Sequence, residues 1–308
     1  MSKKFRLVTR SDMDGLVCAV ILKQLNLIDE IKFVHPKDMQ DGTITITEND
    51  IITNLPYVKD AHLVFDHHES ETIRNGKADN YIIIGDAPSA ARVVYDYYVK
   101  DNDLSMIRED MMIAVDKADA AQFSRDDILN PQGWDLLSFL MDSRTGLGRF
   151  RDFTVSNYQL MMDLIDYCHD HGIDDIMQLP DVKERVVLFN SYKEQFREQL
   201  FRCGTKHGNL VVLDLREEET IYPGNRFMIY ALYPKANISI HVLKGFKGQN
   251  TVFATGKSIL DRSSKTNIGE LMLSYGGGGH EAAGTCQIDN DKSEEVLKEL
   301  IATITNDG

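Results

Sequence analysis

The stretch Leu63-Val64-Phe65-Asp66-His67-His68-Glu69 limits the folds open to this chain more than any other. Three apolar residues run directly into an acid and two imidazoles. Such a run reads as the end of a buried strand that delivers polar side chains at its carboxyl edge. Open α/β sheets place their ligands at that edge. Carboxylate and imidazole together suit a divalent transition metal such as manganese, zinc or iron. Taken alone, the triplet fits a strand end with one satisfied core histidine equally well.

The same layout recurs along the chain. Residues 5–10 read as a first strand, and Ser11-Asp12-Met13-Asp14-Gly15 is a polar break. Residues 16–27 then carry apolar side chains at helical spacing. Further strands are predicted at residues 31–34, 43–47, 51–55 and 62–65. A helix is predicted over residues 88–98 with Asp86 as its cap, and another over 106–115 that runs into Asp116 and Asp119. Helices follow at 134–141, 158–171 and 182–202. Strands alternating with helices predict an α/β fold, a mostly parallel sheet with helices on both faces. Residues 204–208 hold two glycines and no apolar residue, so the domain junction is placed there: residues 1–203 with a helical connector, then a smaller α/β domain over 209–308. In that second domain strands are predicted at 210–215, 227–233, 238–243, 252–256 and 285–288, with helices at 268–275 and 293–304.

Three separate elements end in potential ligands. Asp12 and Asp14 flank one residue on a strand-to-helix turn, where they can share a cleft or simply enrich a helix N-terminus in acid. Asp66-His67-His68 ends a strand, and Asp116 and Asp119 end a helix. Their coincidence favours a metal site. Gly276-Gly277-Gly278-Gly279-His280 exposes successive backbone N–H groups, a nest for phosphate or carboxylate, above all where a helix begins. Arg262, ahead of the glycines, can reach the same anion or stay solvated. Arg144-Thr145-Gly146-Leu147-Gly148-Arg149 fits a surface turn better than an anion loop.

The net charge of −14 disfavours binding to long nucleic acid but leaves room for a small phosphorylated ligand in a locally cationic cleft. No apolar run approaches a membrane span, and the N-terminus lacks the apolar core of a signal peptide. The four cysteines are scattered, which points to a reduced, cytoplasmic setting and away from structural zinc.

These motifs, in this order, resemble the DHH phosphoesterase superfamily, and among its members the exopolyphosphatase-related group. The resemblance spans nearly the whole chain: Ser11 to Gly15, Asp66-His67-His68, Asp119 with Phe123 after it, and Gly277 to His280 with Ala283-Gly284. It implies an N-terminal metal-binding domain, a C-terminal domain that closes over substrate, and manganese held between strand ends. Carried over by position, Asp12 and Asp14 would be ligands of the first and second ions and His67 a ligand of the second. His68 would contact phosphate or leaving group. Asp66 would be a ligand or orient the histidines. Asp119 fits the last acidic ligand better than Asp116. Gly277, Gly278, Gly279, His280 and Arg262 would hold phosphate.

Two positions depart from the family pattern. Arg10 stands where many relatives have His, and Asn54 is the nearest match to an Asp that bridges both metals, with Asp50 the offset alternative. His to Arg adds one positive charge and Asp to Asn removes one negative charge, so the two changes together supply the charge of one divalent ion. One Mn2+ ion is therefore favoured over two, with Arg10 and Asn54 in place of the first. The expected function is metal-dependent hydrolysis of a small phosphoester or phosphoanhydride: short oligonucleotide, bisphosphonucleotide, cyclic dinucleotide or polyphosphate. His68 and Arg10 would stabilise charge on the phosphoryl oxygens. The alternative is a catalytically impaired protein that senses a nucleotide or phosphate. Self-association into a homo-oligomer is expected. An RNA-binding module ranks last, for want of a basic stripe.

Overall fold

The computed structural model describes residues 3–68 and 76–308. Met1, Ser2 and Glu69 of the strand-end stretch lie outside the described residues. The chain forms two compact units, Met1–Gln122 with Pro131–Leu188, and Phe123–Asn130 with Phe189–Gly308.

The first unit opens with β1 (Phe5–Thr9), α1 (Met13–Gln24), β2 (Ile28–Phe33), α2 (Pro36–Gln40), β3 (Asp50–Thr53), β4 (Leu63–Asp66), β5 (Tyr81–Ile83), α3 (Ala90–Tyr98) and α4 (Glu109–Asp119). The five strands are all parallel, in the order β2-β1-β3-β4-β5. Every carboxyl end therefore lies at one edge. The chain leaves β1 for β2 on one side and returns to β3 on the other, which makes a switch point between β1 and β3. Leu7, Ile51 and Phe65 face a core shared with α1, α3, α4 and the helix Asn157–Asp170, while Val8, Ile52 and Val64 face a second core with Met39 of α2, Leu55, Ala61 and Tyr81. Burial on both faces is why these strands read as unbroken apolar runs.

Helix α1 is buried from Met13 to Leu22. A helix apolar all round has to be internal. Its entry is tight: a Cβ on Gly15 would lie 2.0 Å from the carbonyl oxygen of Arg10 and 2.7 Å from Thr9 Oγ1. Glycine lets the helix begin directly against the end of β1, which is where Asp12 and Asp14 sit.

The second unit is built on a six-stranded mixed sheet. Its strands are β6 (Gly204–His207), β7 (Leu210–Asp214), β8 (Ile238–Lys244), β9 (Thr251–Lys257), β10 (Gly278–His280) and β11 (Ala283–Ile288), in the order β10-β11-β9-β8-β7-β6. Only β7 and β8 run parallel. Helices Ile268–Ser274 and Ser293–Asp307 cover the face formed by Leu210, Val212, Ile238, Ile240, Val242 and Phe253. Among the described residues no helix is long and apolar enough to cross a membrane.

Several predicted elements differ from those formed. Residues 227–233, predicted as a strand, contain the helix Met228–Leu232. A short run with nearly every side chain buried has no period to separate helix from strand. Residues 43–47 are not a strand; Ile44 and Ile46 instead cover the sheet face as a loop. The single helix predicted over 182–202 is two, Pro180–Ser191 and Lys193–Cys203, broken at Tyr192. The helix predicted from Pro88 begins at Ala90, and Ser89, not Asp86, caps it by accepting the N–H of Arg92 at 3.0 Å.

Replacing Gly15 with Ala forces backbone against backbone and is expected to cost about 1–3 kcal/mol. A lowered urea midpoint for Gly15→Ala checks this; an unchanged midpoint contradicts the close approach.

Candidate active site

Asp12 caps the N-terminus of α1, with Oδ1 accepting the Gly15 N–H at 3.0 Å. Its remaining lone pairs face two cationic or donor groups: Arg10 Nε lies 3.0 Å from Oδ2, and Asn54 Nδ2 lies 3.3 Å from Oδ1 and 3.5 Å from Oδ2. Burial holds the Asp12 carboxyl above its ordinary range, and Arg10 offsets only part of that. Asn54 is buried just beyond β3 with φ 54°, a left-handed conformation that Asn tolerates better than most residues. Asp50 lies at the other end of the same strand, ion-paired to Arg6 at 2.7 Å and accepting the Thr47 N–H at 2.6 Å. The residue of this segment that reaches Asp12 is therefore Asn54.

Asp14, His67 and Asp119 converge beside this group. One ligand atom from each lies within 4.8 Å of the others, and among the described residues this is the group of acidic, imidazole or thiol side chains with that geometry. Asp14 is buried and held by a helix N-terminus: the N–H groups of Ala90 and Ala91 in α3 donate to its two oxygens at 3.0 and 2.7 Å. His67 Nδ1 lies 3.1 Å from the carbonyl of Ala87, which fixes a proton on Nδ1 and turns Nε2 towards the acids. Nε2 is 2.9 Å from Asp119 Oδ2 and 4.0 Å from Asp14 Oδ2, yet no hydrogen bond of acceptable geometry satisfies it. Ligand imidazoles are commonly oriented through their other nitrogen in this way.

The charges in the cluster are out of balance. Burial and then the neighbouring Asp119 raise the Asp14 carboxyl well above the ordinary carboxylate range. Burial alone would lower the His67 imidazole, but the adjacent Asp119 and then Asp14 outweigh it and raise it to about 9. Two acids and an imidazole with an orphaned nitrogen are a donor set that fits a divalent transition ion, whose charge would relieve the repulsion.

The remaining predicted residues take other places. His68 Nδ1 pairs with Oδ1 of the buried Asp66 at 2.7 Å, and Tyr81 donates to the other Asp66 oxygen at 3.4 Å. Asp66 thus orients His68 and stands outside the three-ligand group. Asp116 accepts from Ser89 Oγ at 2.7 Å and from Arg92 Nε at 3.0 Å. Arg144 is tied to Asp142 at 2.7 Å. Burial opposes its charge, and Asp142, with Asp12 and Asp119 beyond it, outweighs that. Arg144 therefore belongs to the surroundings of the acids.

Gly277, Gly278, Gly279, His280 and Arg262 all lie in the second unit. The glycine run follows a helix C-terminus, the negative end of the helix dipole, and does not open a helix. Gly276, at φ 75°, donates to Leu273 O, and Gly277 donates to Met272 O, so these amides close the helix end. Gly278, Gly279 and His280 form an exposed edge strand paired with β11. The two strands are so close that a Cβ on Gly279 would lie 2.3 Å from the carbonyl oxygen of Ala283. Arg262 is exposed in the segment before helix Ile268–Ser274.

Ala87, Ser89, Ala90, Ala91 and Arg92 hold the site together and were not foreseen. Their signal is faint, a serine before two alanines, and their contribution is mostly backbone N–H and C=O, which any residue carries.

No family model and no curated protein matches the chain. Among solved structures it is similar to the pGpG-specific phosphodiesterase PggH from Vibrio cholerae, with 62% identity over 99% of this chain and 100% of that one, at a TM-score of 0.85. It is also similar to CDC45 from Entamoeba histolytica, at 9% identity over 98% of this chain and 95% of that one, with a TM-score of 0.50. The second likeness concerns the fold alone.

His67 provides a pH test. Its pKa is raised on folding from 6.5 to about 9, so in metal-free protein its charged pair with Asp119 stabilises fully below pH 6.5 and is lost as pH rises through about 9. An NMR titration in chelator is expected to place the His67 imidazole near 9, and Asp119→Asn to move it down. A midpoint near 6.5 in the unmodified protein contradicts the pairing.

Proposed function

The chain belongs to the DHH phosphoesterase superfamily, and from that premise we propose that it is a phosphodiesterase that cleaves pGpG with the help of one divalent ion, Mn2+. The observation that carries the reading is the convergence of Asp14, His67 and Asp119 next to an Asp12 already engaged by Arg10 and Asn54. The substrate is taken from the 62% identical phosphodiesterase, whose length this chain matches end to end. A linear guanine dinucleotide also suits a chain of net charge −14, which repels longer polyanions.

Asp14, His67 and Asp119 would hold the ion. Bound there, a divalent ion supplies a Lewis acid for the phosphoryl group and lowers the pKa of water. The protein groups do the rest. Asp66 takes Nδ1 of the half-exposed His68 ring, whose Nε2 would serve as a phosphate contact. Arg10, whose guanidinium already sits 3.0 Å from Asp12, places a fixed positive charge at the switch point between β1 and β3. Asn54 keeps its neutral amide donor towards Asp12 and adds no further acid. Arg10 and Asn54 together do the electrostatic work of a second ion. The four free thiols fit the reducing interior of a cell.

The same Arg10–Asp12 pair favours a second reading, a protein that binds the dinucleotide without cutting it. Release of GMP from pGpG in the presence of Mn2+ separates the two. Wild type is expected to turn over, and Asp119→Ala and His67→Ala to lose at least ~100-fold, since even partners behind metal ligands are worth about 10–100-fold. A wild type that binds pGpG but releases nothing overturns the enzymatic reading.

Metal content tests the ion count separately. Wild type is expected to retain one Mn2+ per chain, and the double variant Arg10→His, Asn54→Asp to take up a second. Two tightly held ions in wild type overturn the charge-replacement account.

A further inference from the structure

Asp116 stands one helical turn before Asp119 on α4 but lies outside the three-ligand group. Its Oδ1 accepts the Ser89 hydroxyl at 2.7 Å, and its Oδ2 accepts Arg92 Nε at 3.0 Å and Nη2 at 2.5 Å. Ser89 is fully buried and caps α3. The neighbours of Ser89 are the groups that hold the cluster. The Ala87 carbonyl orients His67, and the Ala90 and Ala91 amides take both oxygens of Asp14. The segment 87–92 thus touches two of the three ligands, and Asp116 fastens it to the helix that ends in the third.

We infer that Asp116, acting through Ser89 and Arg92, is a positioning residue that sets the affinity of the site for a divalent ion. The inference rests on the one-ion reading above. Asp14 on α1 is held by the Ala90 and Ala91 amides of α3, and Asp119 ends α4, so the spacing of these two ligands depends on how the start of α3 sits against α4. The Asp116 contacts set that spacing at the N-terminus of α3. Without them the ion has to draw the helices together itself, and part of its binding free energy is used in ordering them. An ordinary helix-to-helix ion pair would change stability alone. The contrast is present on the same helix: Lys117 pairs with Asp135 at 2.8 Å, with comparable exposure, and Asp135 touches none of the segment that holds the ligands.

Mn2+ titrated into the metal-free chain, with the free ion read by electron paramagnetic resonance, distinguishes these roles. Asp116→Asn is expected to weaken Mn2+ binding about 10–100-fold, the range for partners behind metal ligands. Ser89→Ala is expected to weaken it in the same direction, and Asp135→Asn to stay within about twofold of wild type. Folding of each metal-free variant is checked by circular dichroism. If Asp116→Asn does not fold, Ser89→Ala carries the test. Wild-type affinity in a folded Asp116→Asn or Ser89→Ala variant overturns the inference, and so does an Asp135→Asn variant weakened as much as Asp116→Asn. A wild type that takes up no Mn2+ overturns the one-ion reading itself, and this inference with it.

Discussion

A buried carboxylate seated on a helix N-terminus is the contact from which the first unit's site is built. Asp14 enters the interior on α1, where water cannot solvate it, and the amides of Ala90 and Ala91 replace that solvation. A helix N-terminus offers unpaired N–H groups and a favourable dipole, so it lowers the cost of placing a carboxyl in the interior, although burial and Asp119 still raise this one. The arrangement fixes α1 against α3 and brings the end of β1 towards Ala87, whose carbonyl orients His67. Gly15 is the steric condition for all of it, because any Cβ there would meet the Arg10 carbonyl.

The acids on either side of this contact are treated differently. Asp12 is met by a guanidinium, a side-chain amide and a backbone N–H, which offset part of the cost of its burial. Asp14 and Asp119 face each other across an imidazole, and burial, then the nearby Asp119, raises the Asp14 carboxyl. Like charges placed together in a protein interior are costly unless a cation or proton joins them. The same sheet edge thus holds one acid paired with a guanidinium and an amide and two that still call for an ion. The substitution pattern at Arg10 and Asn54 acquires its meaning from that division.

Much of this was legible in the chain. The apolar runs ending in Asp66-His67-His68 and the break at Asp12-Met13-Asp14 located the carboxyl edge of a parallel sheet. Strand burial on both faces leaves an unmistakable composition. The departures at Arg10 and Asn54 were visible as changes of charge. Other elements were misread for physical reasons. Helix Met228–Leu232 is buried along nearly all its length and has no amphipathic period. Helix α3 begins later than its proline because a serine hydroxyl, not the earlier acid, reaches a backbone N–H. The glycine run does not open a helix: two of its amides close one, and the next residues pair as an edge strand.

The sequence by itself determined which side chains could do chemistry and that a sheet edge would gather them, because residue type and apolar pattern are local properties. Only the tertiary structure decided how the acids are shared out. It placed Asn54 and not Asp50 beside Asp12, gave Asp66 to His68, and set Asp116 on Ser89 and Arg92 while its neighbour Asp119 faced His67. Those assignments depend on distances of a few ångströms between segments far apart in the chain, and on backbone groups that every residue carries.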